Sequence, residues 1–225
     1  MLALQNISVD IVGIGVLRGI SAAFKSGGIY AVLGRNGAGK TTLLRTIMGF
    51  SPVRSGSITL GAGIGGVDLL SEPTHSRAAH GIGYAPEERV LFPTMTVLEN
   101  LRLPCESIGL PAAEIDRRLA QAVAAVPLIE PMLARSASAL SGGQGKMAAL
   151  SRALMVGTQV LLLDEPFQGL APALARQYAE SLSQLHRTRP ELCVVITESN
   201  RSLLDRVQCT TLTLERGVLR TGMEK

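Results

Sequence analysis

The fold is decided by one run of consecutive residues, Gly34-Arg35-Asn36-Gly37-Ala38-Gly39-Lys40-Thr41-Thr42. A continuous apolar stretch precedes it, in the pattern of a strand buried on both faces: Ile29-Tyr30-Ala31-Val32-Leu33. After the run, apolar residues recur at helical spacing and stop before Gly49: Leu43, Leu44, Ile47 and Met48. The sequence therefore predicts a buried strand, a glycine-rich loop and a helix that begins near Gly39.

The glycines and Lys40 indicate the chemistry of this loop. Glycines allow the backbone to turn its N–H groups inward, and the N-terminus of the following helix presents partial positive charge to the same anion. Lys40 adds a full charge near the β- and γ-phosphates of a nucleotide, and the Thr41 hydroxyl is a suitable ligand for Mg²⁺. We therefore predict that residues 34–42 bind the phosphates of ATP, with Mg²⁺ as cofactor.

A second apolar strand ends in two carboxylates, in the run Val160-Leu161-Leu162-Leu163-Asp164-Glu165-Pro166. Asp164 is predicted to hold Mg²⁺, and Glu165 to accept a proton from the water that attacks the γ-phosphate. In isolation, two carboxylates at a strand end are usually solvated turn residues. Because a phosphate-binding loop precedes them, the catalytic interpretation is favoured, with Glu165 and Lys40 as the catalytic residues.

A third stretch reads Leu140-Ser141-Gly142-Gly143-Gln144 and precedes residues at helical spacing, Met147, Leu150 and Leu154. Ser141 is predicted to cap this helix. Gly142 and Gly143 expose backbone N–H groups, which makes a second anion site. One chain cannot easily apply both anion sites to a single nucleotide.

With these three stretches in this order, nearly the whole chain resembles the ATP-binding subunits of ABC transporters, whose signature is the L-S-G-G-Q stretch. The resemblance implies that two cassettes pair head to tail, so that residues 141–144 of one contact the γ-phosphate held by residues 34–42 of the other. It also implies that a helical lobe contacts integral membrane permease subunits. The expected partners are therefore a second cassette, identical or different, and a permease, with the chain cytoplasmic on the inner face of the cell membrane and touching the membrane only through partners.

A closer likeness is to the cassettes of branched-chain amino-acid or urea importers. The residues that carry it are Gly81-Ile82-Gly83-Tyr84-Ala85-Pro86-Glu87, Leu91-Phe92-Pro93, Met95-Thr96-Val97-Leu98-Glu99-Asn100-Leu101 and Gly169-Leu170-Ala171-Pro172. This likeness implies uptake of branched-chain amino acids or a similar small polar solute.

The chain departs from the family pattern at four positions. Glu87 stands where most cassettes carry a glutamine that senses Mg²⁺ and the γ-phosphate, and it remains a predicted metal ligand. Ser199 replaces the switch histidine near the γ-phosphate, Ile11 the aromatic residue that stacks on adenine, and Ala171 an aspartate that crosses the dimer interface. We therefore predict adequate ATP binding but slow hydrolysis by a homodimer, and a natural partner cassette with an intact histidine.

Strands alternating with helices predict an α/β fold with a P-loop NTPase core and a mainly parallel sheet. Residues 1–24 predict an antiparallel β subdomain at the N-terminus. The expected organisation is a single ABC ATPase domain over 1–225, with the nucleotide-binding core in 1–83 and 136–225 and the helical lobe in about 84–135.

Composition argues against several other functions. The net charge is +4 with scattered basic residues, and three Tyr, four Phe and no Trp leave few platforms for stacking bases, so a nucleic-acid partner is not expected. Apolar runs are too short to span a bilayer, and Met1 to Asp10 do not predict a signal peptide. Three widely spaced cysteines indicate buried thiols in a reducing compartment.

Three other interpretations fit parts of the sequence. Gly61-Ala62-Gly63-Ile64-Gly65-Gly66 matches a dinucleotide-binding fingerprint, but no helix is predicted to open at its last glycine. A degenerate, weakly hydrolysing cassette could serve as the structural partner of a different, active one. A soluble ABC protein of translation or DNA repair usually carries two cassettes or a long insertion, for which 225 residues leave no room.

Overall fold

The structure, a computed structural model, describes residues 1–61, 65–88 and 90–221. Its strands are β1 (Leu2–Ile11), β2 (Ile14–Phe24), β3 (Ile29–Leu33), β4 (Ser55–Leu60), β5 (Val67–Asp68), β6 (Ile82–Ala85), β7 (Val160–Asp164), β8 (Cys193–Glu198), β9 (Thr210–Glu215) and β10 (Val218–Thr221). Its α-helices are α1 (Lys40–Ile47), α2 (Val97–Ser107), α3 (Ala112–Ala125), α4 (Gly142–Val156) and α5 (Pro172–Thr188). Short 3-10 turns lie between several of them.

In the described part of the chain, the larger sheet has six strands in the order β10-β9-β3-β8-β7-β6. Strands β9, β3, β8, β7 and β6 are each parallel to their neighbours, and β10 pairs antiparallel with β9 at one edge. Alternate residues of the central strands enter different cores, since Leu161 and Leu163 face one side and Leu162 the other. Both faces are covered, which explains the continuous apolar runs and confirms the predicted mainly parallel sheet.

A smaller antiparallel sheet, in the order β2-β1-β4-β5, lies beside this core. Its strands and α1 bury their apolar side chains against one face of the larger sheet; Phe24, Leu44 and Ile58 are completely buried there. The predicted N-terminal antiparallel subdomain is confirmed, and it also recruits β4 and β5 from later in the chain.

Helices α2 to α5 cover the opposite face of the larger sheet in one continuous apolar cluster. Thr96 caps α2 with a reciprocal bond to Glu99, and α4 packs against both α2 and α3. Tyr84 and Ala85 pair with β7 inside the sheet. The boundary predicted at about residue 84 therefore falls within β6, and α2, the first α-helix of the predicted helical lobe, begins at Val97.

The dinucleotide alternative has no helix in the required place. Residues 62–64 of that stretch lie outside the described residues, but Gly66 is followed by β5, which pairs antiparallel with Thr59 and Leu60 of β4. None of the described helices is long and apolar enough to cross a membrane.

The sheet brings the chemistry-bearing segments to one edge. Strands β3, β7 and β8 are parallel neighbours, so their carboxyl ends lie together. The residues that follow them are the glycine-rich loop, Glu165 and Ser199. Ligands of open α/β sheets bind at this edge.

Candidate active site

The glycine-rich loop leads directly into α1. Gly39 immediately precedes the helix with a left-handed φ of 106°, and an added Cβ would lie 2.9 Å from Leu17 Cδ2, so no other residue fits there easily. Arg35, Asn36 and Gly37 are exposed, whereas Ala38 is buried and donates its N–H to the Arg35 carbonyl at 3.0 Å. The open side of the loop therefore consists of residues 35–37.

Lys40 is held inside this loop. Its Nζ donates to the Gly34 carbonyl at 2.7 Å and to the Arg35 carbonyl at 3.3 Å. It also forms an ion pair with Glu165 Oε1 at 3.0 Å, and both side chains are only 5% exposed. Two residues predicted from separate motifs are thus joined in a buried contact.

Thr41, Asp164 and Thr197 form a second connected group. Asp164 Oδ1 accepts from Thr41 Oγ1 at 3.2 Å and from Thr197 Oγ1 at 2.6 Å. Tyr84 Oη donates to Asp164 Oδ2 at 3.4 Å, and burial, with Asp164 beside it, raises the pKa of the Tyr84 phenol. The hydroxyl of Thr41 and the carboxylate of Asp164 are hard oxygen ligands side by side, which fits Mg²⁺ bound through one carboxylate and substrate phosphates.

Among the described residues, no group of three or more His, Cys, Asp and Glu side chains could hold a metal ion. The Thr41–Asp164 pair is consistent with this finding, because Mg²⁺ keeps several waters and takes further oxygens from phosphates. The donors present therefore suit a metal that arrives with the nucleotide.

Glu165 is fixed at both its backbone and its side chain. Its N–H donates to the Thr197 carbonyl at 3.0 Å, and its carbonyl accepts from Lys146 Nζ at 2.6 Å. Its Oε2 accepts from the N–H and Oγ of Ser199, at 3.2 and 3.1 Å. Glu165 has a φ of 45°, an uncommon left-handed conformation for a residue with a side chain, so these contacts hold a strained turn.

A cleft of about 450 Å³ lies over the loop. One wall is aliphatic and is formed by Ile11, Ile14 and Val16; the other residues come from the loop and from Glu87, Glu165 and Gln168. The position predicted to face adenine is therefore an aliphatic surface. Glu87 lines the same cleft, and its role as a metal ligand stays a prediction.

The signature residues lie elsewhere on the chain. Ser141 caps α4: its Oγ accepts from Gln144 N at 3.4 Å, and Gln144 Oε1 accepts from Ser141 N at 2.9 Å, which confirms the predicted cap. Ser141 lines a separate pocket of about 500 Å³, not the cleft over the loop. Gly142 and Gly143 form the first residues of α4. The structure thus joins Lys40, Thr41, Asp164, Glu165 and Ser199 and leaves residues 141–144 apart from them.

Sequence reasoning missed several polar residues of this site. Lys146, Thr197 and Glu198 contact the Asp164–Phe167 segment, and Tyr84 contacts Asp164. Glu198 is fully buried, and burial raises its pKa to about 8, with the charge of Glu165 acting in the same direction. A polar residue ending an otherwise apolar strand was the available signal for Thr197 and Glu198.

A family model described as ABC transporter matches residues 17–168. The chain is 35% identical over 185 residues to a probable branched-chain amino acid transport ATP-binding protein, LivF, of Archaeoglobus fulgidus, covering 82% of this chain and 75% of that protein. It is 32% identical to a putative 2-aminoethylphosphonate import ATP-binding protein, PhnT, of Salmonella choleraesuis, covering 98% of this chain but only 56% of that longer relative.

The fold is similar to that of the ABC transporter cassette MJ0796, solved as a dimer, with a TM-score of 0.83, 22% identity and coverage of 97% of this chain and 96% of that one. MJ0796 has also been solved in a post-hydrolysis state with ADP and Pi. The three motifs, the contacts that join Lys40 to Glu165 and Thr41 to Asp164, and the family match agree. The chain belongs to the ABC transporter family, as an ATP-binding and ATP-hydrolysing cassette.

Proposed function

We propose that this cassette drives uptake of branched-chain amino acids or a similar small polar solute. The support is its similarity to a branched-chain amino acid transport protein, together with the importer-like runs described above. The similarity to a 2-aminoethylphosphonate import protein points to a different solute but the same direction of transport.

The catalytic proposal rests on one observation, the buried contact between Lys40 and Glu165 beside Thr41 and Asp164. The loop N–H groups and Lys40 bind the phosphates, and Glu165 accepts the proton of the attacking water. Thr41 and Asp164 would hold Mg²⁺, and Glu87 lines the same cleft. When bound there, the metal would supply positive charge that offsets the charge of the phosphate oxygens.

Ser199 acts through Glu165 in this proposal. Its N–H and hydroxyl both donate to the Glu165 carboxylate, so they orient the base. A serine side chain is shorter than the histidine it replaces and carries no charge, and loss of one preorganised donor reduces rates by about 10² to 10³. Slow turnover by a pair of identical chains remains the expectation.

We further propose that the complete site needs a second cassette. Residues 141–144 of the same chain lie outside the cleft that holds Lys40, although their helix presents N–H groups suited to an anion. A paired cassette, identical or different, supplies them. The dimeric state of the similar cassette MJ0796 supports this arrangement.

A groove of about 540 Å³ is the proposed contact for a permease on the inner face of the membrane. Residues of the nucleotide core and of the helices line it together, including Arg45, Phe50, Tyr84 and Arg152. Phe50 is half-exposed there, and burial lowers the pKa of Arg152. An exposed aromatic residue beside arginines is typical of a protein-binding surface.

The catalytic proposal is tested with Glu165→Gln. The amide retains hydrogen-bonding capacity but cannot accept the proton, so kcat should fall at least about 100-fold while ATP binding persists. Glu180→Gln, on the exposed face of α5, is the matched control and should behave as the unmodified protein. Wild-type turnover in Glu165→Gln would remove the proposed role of this carboxylate.

The substrate proposal is tested in cells that carry Glu165→Gln in place of the natural gene. Uptake of radiolabelled leucine, isoleucine and valine should stop, and uptake of 2-aminoethylphosphonate should continue. The reverse result would assign the cassette to the phosphonate instead. Unchanged uptake of both solutes would favour the alternative of a degenerate structural partner, which the similar proteins do not support.

A further inference from the structure

Glu198, the last residue of β8, has a carboxyl group that the motifs do not account for. The residue is completely buried, and its Oε1 accepts the Phe167 N–H at 2.9 Å. In the described part of the molecule, its Oε2 is buried without a hydrogen-bond partner. A buried polar atom without a partner is costly, and a carboxyl oxygen that carries a proton can donate instead.

The ionisable groups around Glu198 lie on several elements packed against it. Glu165 follows β7 and lies beside the Glu198 carboxyl; Lys146 approaches from α4 and Tyr178 from α5, and Lys40 of α1 pairs with Glu165. Two neighbouring carboxyl groups do not readily ionise together. Burial and Glu165 raise the pKa of Glu198 to about 8, while the Phe167 N–H and Lys146 oppose the shift. At neutral pH the group is thus mostly the uncharged acid.

We propose that Glu198 is a positioning residue for ATP hydrolysis: its neutral carboxyl donates a hydrogen bond from Oε2 to Glu165 and accepts one at Oε1 from Phe167. The inference rests on the proposed role of Glu165 as the base. Glu198 keeps its proton throughout, and the proton of the attacking water goes to Glu165. The two hydrogen bonds fix the direction in which the Glu165 carboxylate points.

The backbone at this place explains why such fixing is needed. Glu165 has left-handed backbone geometry, which is unfavourable for a residue with a side chain. The Glu165 N–H donates to the Thr197 carbonyl, and the Glu165 carbonyl accepts from Lys146. Both of these contacts are made by the backbone of Glu165 itself. The hydrogen bond from the Phe167 N–H to Glu198 fixes the same turn at a second point, two residues after Glu165.

Two substitutions distinguish the effect of the hydrogen bonds of Glu198 from the effect of its side-chain volume. Glu198→Met has similar length but makes neither bond, so kcat should fall about tenfold while the KM for ATP stays nearly constant. Glu198→Gln restores both bonds, because its amide oxygen accepts from Phe167 and its NH₂ group donates to Glu165. Its kcat should return to within about threefold of the unmodified protein. Glu191→Met, on the exposed loop before β8, is the control for surface effects.

A pH series supplies a readout that a merely structural role would not move. The kcat of the unmodified protein should decline as Glu198 ionises above about pH 8, because the ionised group cannot donate to Glu165, whereas Glu198→Gln should show no such decline. The folded pKa is raised, so the stability contributed by the protonated acid is complete at pH values below the ordinary glutamate pKa and is lost as pH rises towards 8. The thermal unfolding midpoint of Glu198→Gln, relative to that of the unmodified protein, should therefore rise as the pH increases towards 8.

Wild-type kcat in Glu198→Met, or the same alkaline decline in Glu198→Gln as in the unmodified protein, would overturn the proposal. Glu165→Gln measured in parallel distinguishes this failure from that of the proposed base. If Glu165→Gln is inactive and Glu198→Met is fully active, the positioning role alone is wrong. If Glu165→Gln keeps its activity, the base assignment fails and the inference built on it falls with it.

Discussion

The two segments predicted to bind anions, residues 34–42 and residues 141–144, differ in what surrounds them. In the phosphate-binding loop, Lys40 is buried and bonded to the loop carbonyls and to Glu165. In the signature segment, Ser141 is exposed, and within the described part of the chain its side chain and that of Gln144 bond to the start of their own helix. The first segment is therefore joined directly to the predicted base of its own chain, whereas Ser141 lines a different pocket.

This difference supports the proposal that the two segments of one chain act on different nucleotides. Substitutions around the loop should affect the chemistry of the chain that carries them. Substitutions in residues 141–144 should act on a nucleotide held by another chain, if the proposed pairing holds. Experiments that mix two variant chains therefore test whether the two segments, from different chains, act on one nucleotide.

The largest effect is expected for Lys40→Ala and Ser141→Arg. Each alone should lower ATP turnover at least about 100-fold, the first by removing the phosphate-binding cation and the second by placing a bulky side chain at the signature. Mixing the two variants should restore roughly a quarter of the normal rate, because random pairing makes half of the dimers mixed and each mixed dimer has one intact site. Steady-state phosphate release measures both results.

Thermal unfolding of each variant controls for misfolding, since Lys40→Ala leaves Glu165 without its buried cation. If both variants fold and form dimers but the mixture stays inactive, the two segments do not meet on one nucleotide. Normal activity of Ser141→Arg alone would lead to the same conclusion.

An intermediate effect is expected for Ile11→Tyr. Ile11, Ile14 and Val16 form an aliphatic wall of the cleft, and an aromatic ring that stacks on a base contributes about 1 to 3 kcal/mol. The Kd for ATP, measured by titration calorimetry, should fall about tenfold, with a smaller gain for a triphosphate that lacks a base. Val218→Tyr, at an exposed position in β10, is the control. An equal gain for both ligands would show that the base does not lie on this wall.

The smallest effect is expected when either of two helix caps is replaced by alanine. Thr96 caps α2 and Ser141 caps α4 with the same reciprocal arrangement. Replacing either by Ala should lower the free energy of unfolding by about 1 kcal/mol, seen as a lower midpoint in thermal unfolding. Only Ser141→Ala should also lower kcat. An equal loss of kcat in Thr96→Ala would mean that the activity change merely follows stability.

Much of this site could be predicted because strand, loop and helix are adjacent in sequence. The positions of Lys40 and Thr41 follow from the helix that begins beside them, and Asp164 from the strand it ends. Contacts between strands could not be predicted in the same way. Phe167 and Glu198 are 31 residues apart, and they meet only because β7 and β8 are neighbours in the sheet.

The boundary at residue 84 shows another limit. Strand β6 is short and contains Gly83, which weakens its pattern. The glycine is needed because the backbone of α4 passes so close that an added Cβ would collide with the Ala153 carbonyl. A requirement of tertiary packing thus hid the strand from a reading based on hydrophobic pattern.

We expect the ion pair between Lys40 and Glu165 to disfavour the binding of small anions. An entering ligand competes with the Glu165 carboxylate for Lys40, and separating two buried charges is unfavourable unless the newcomer replaces the lost contact. Inorganic phosphate or sulfate offers few compensating bonds. A triphosphate is long enough to contact Lys40, Thr41 and the loop N–H groups together, so we expect the cassette to bind polyphosphate chains in preference to simple inorganic anions.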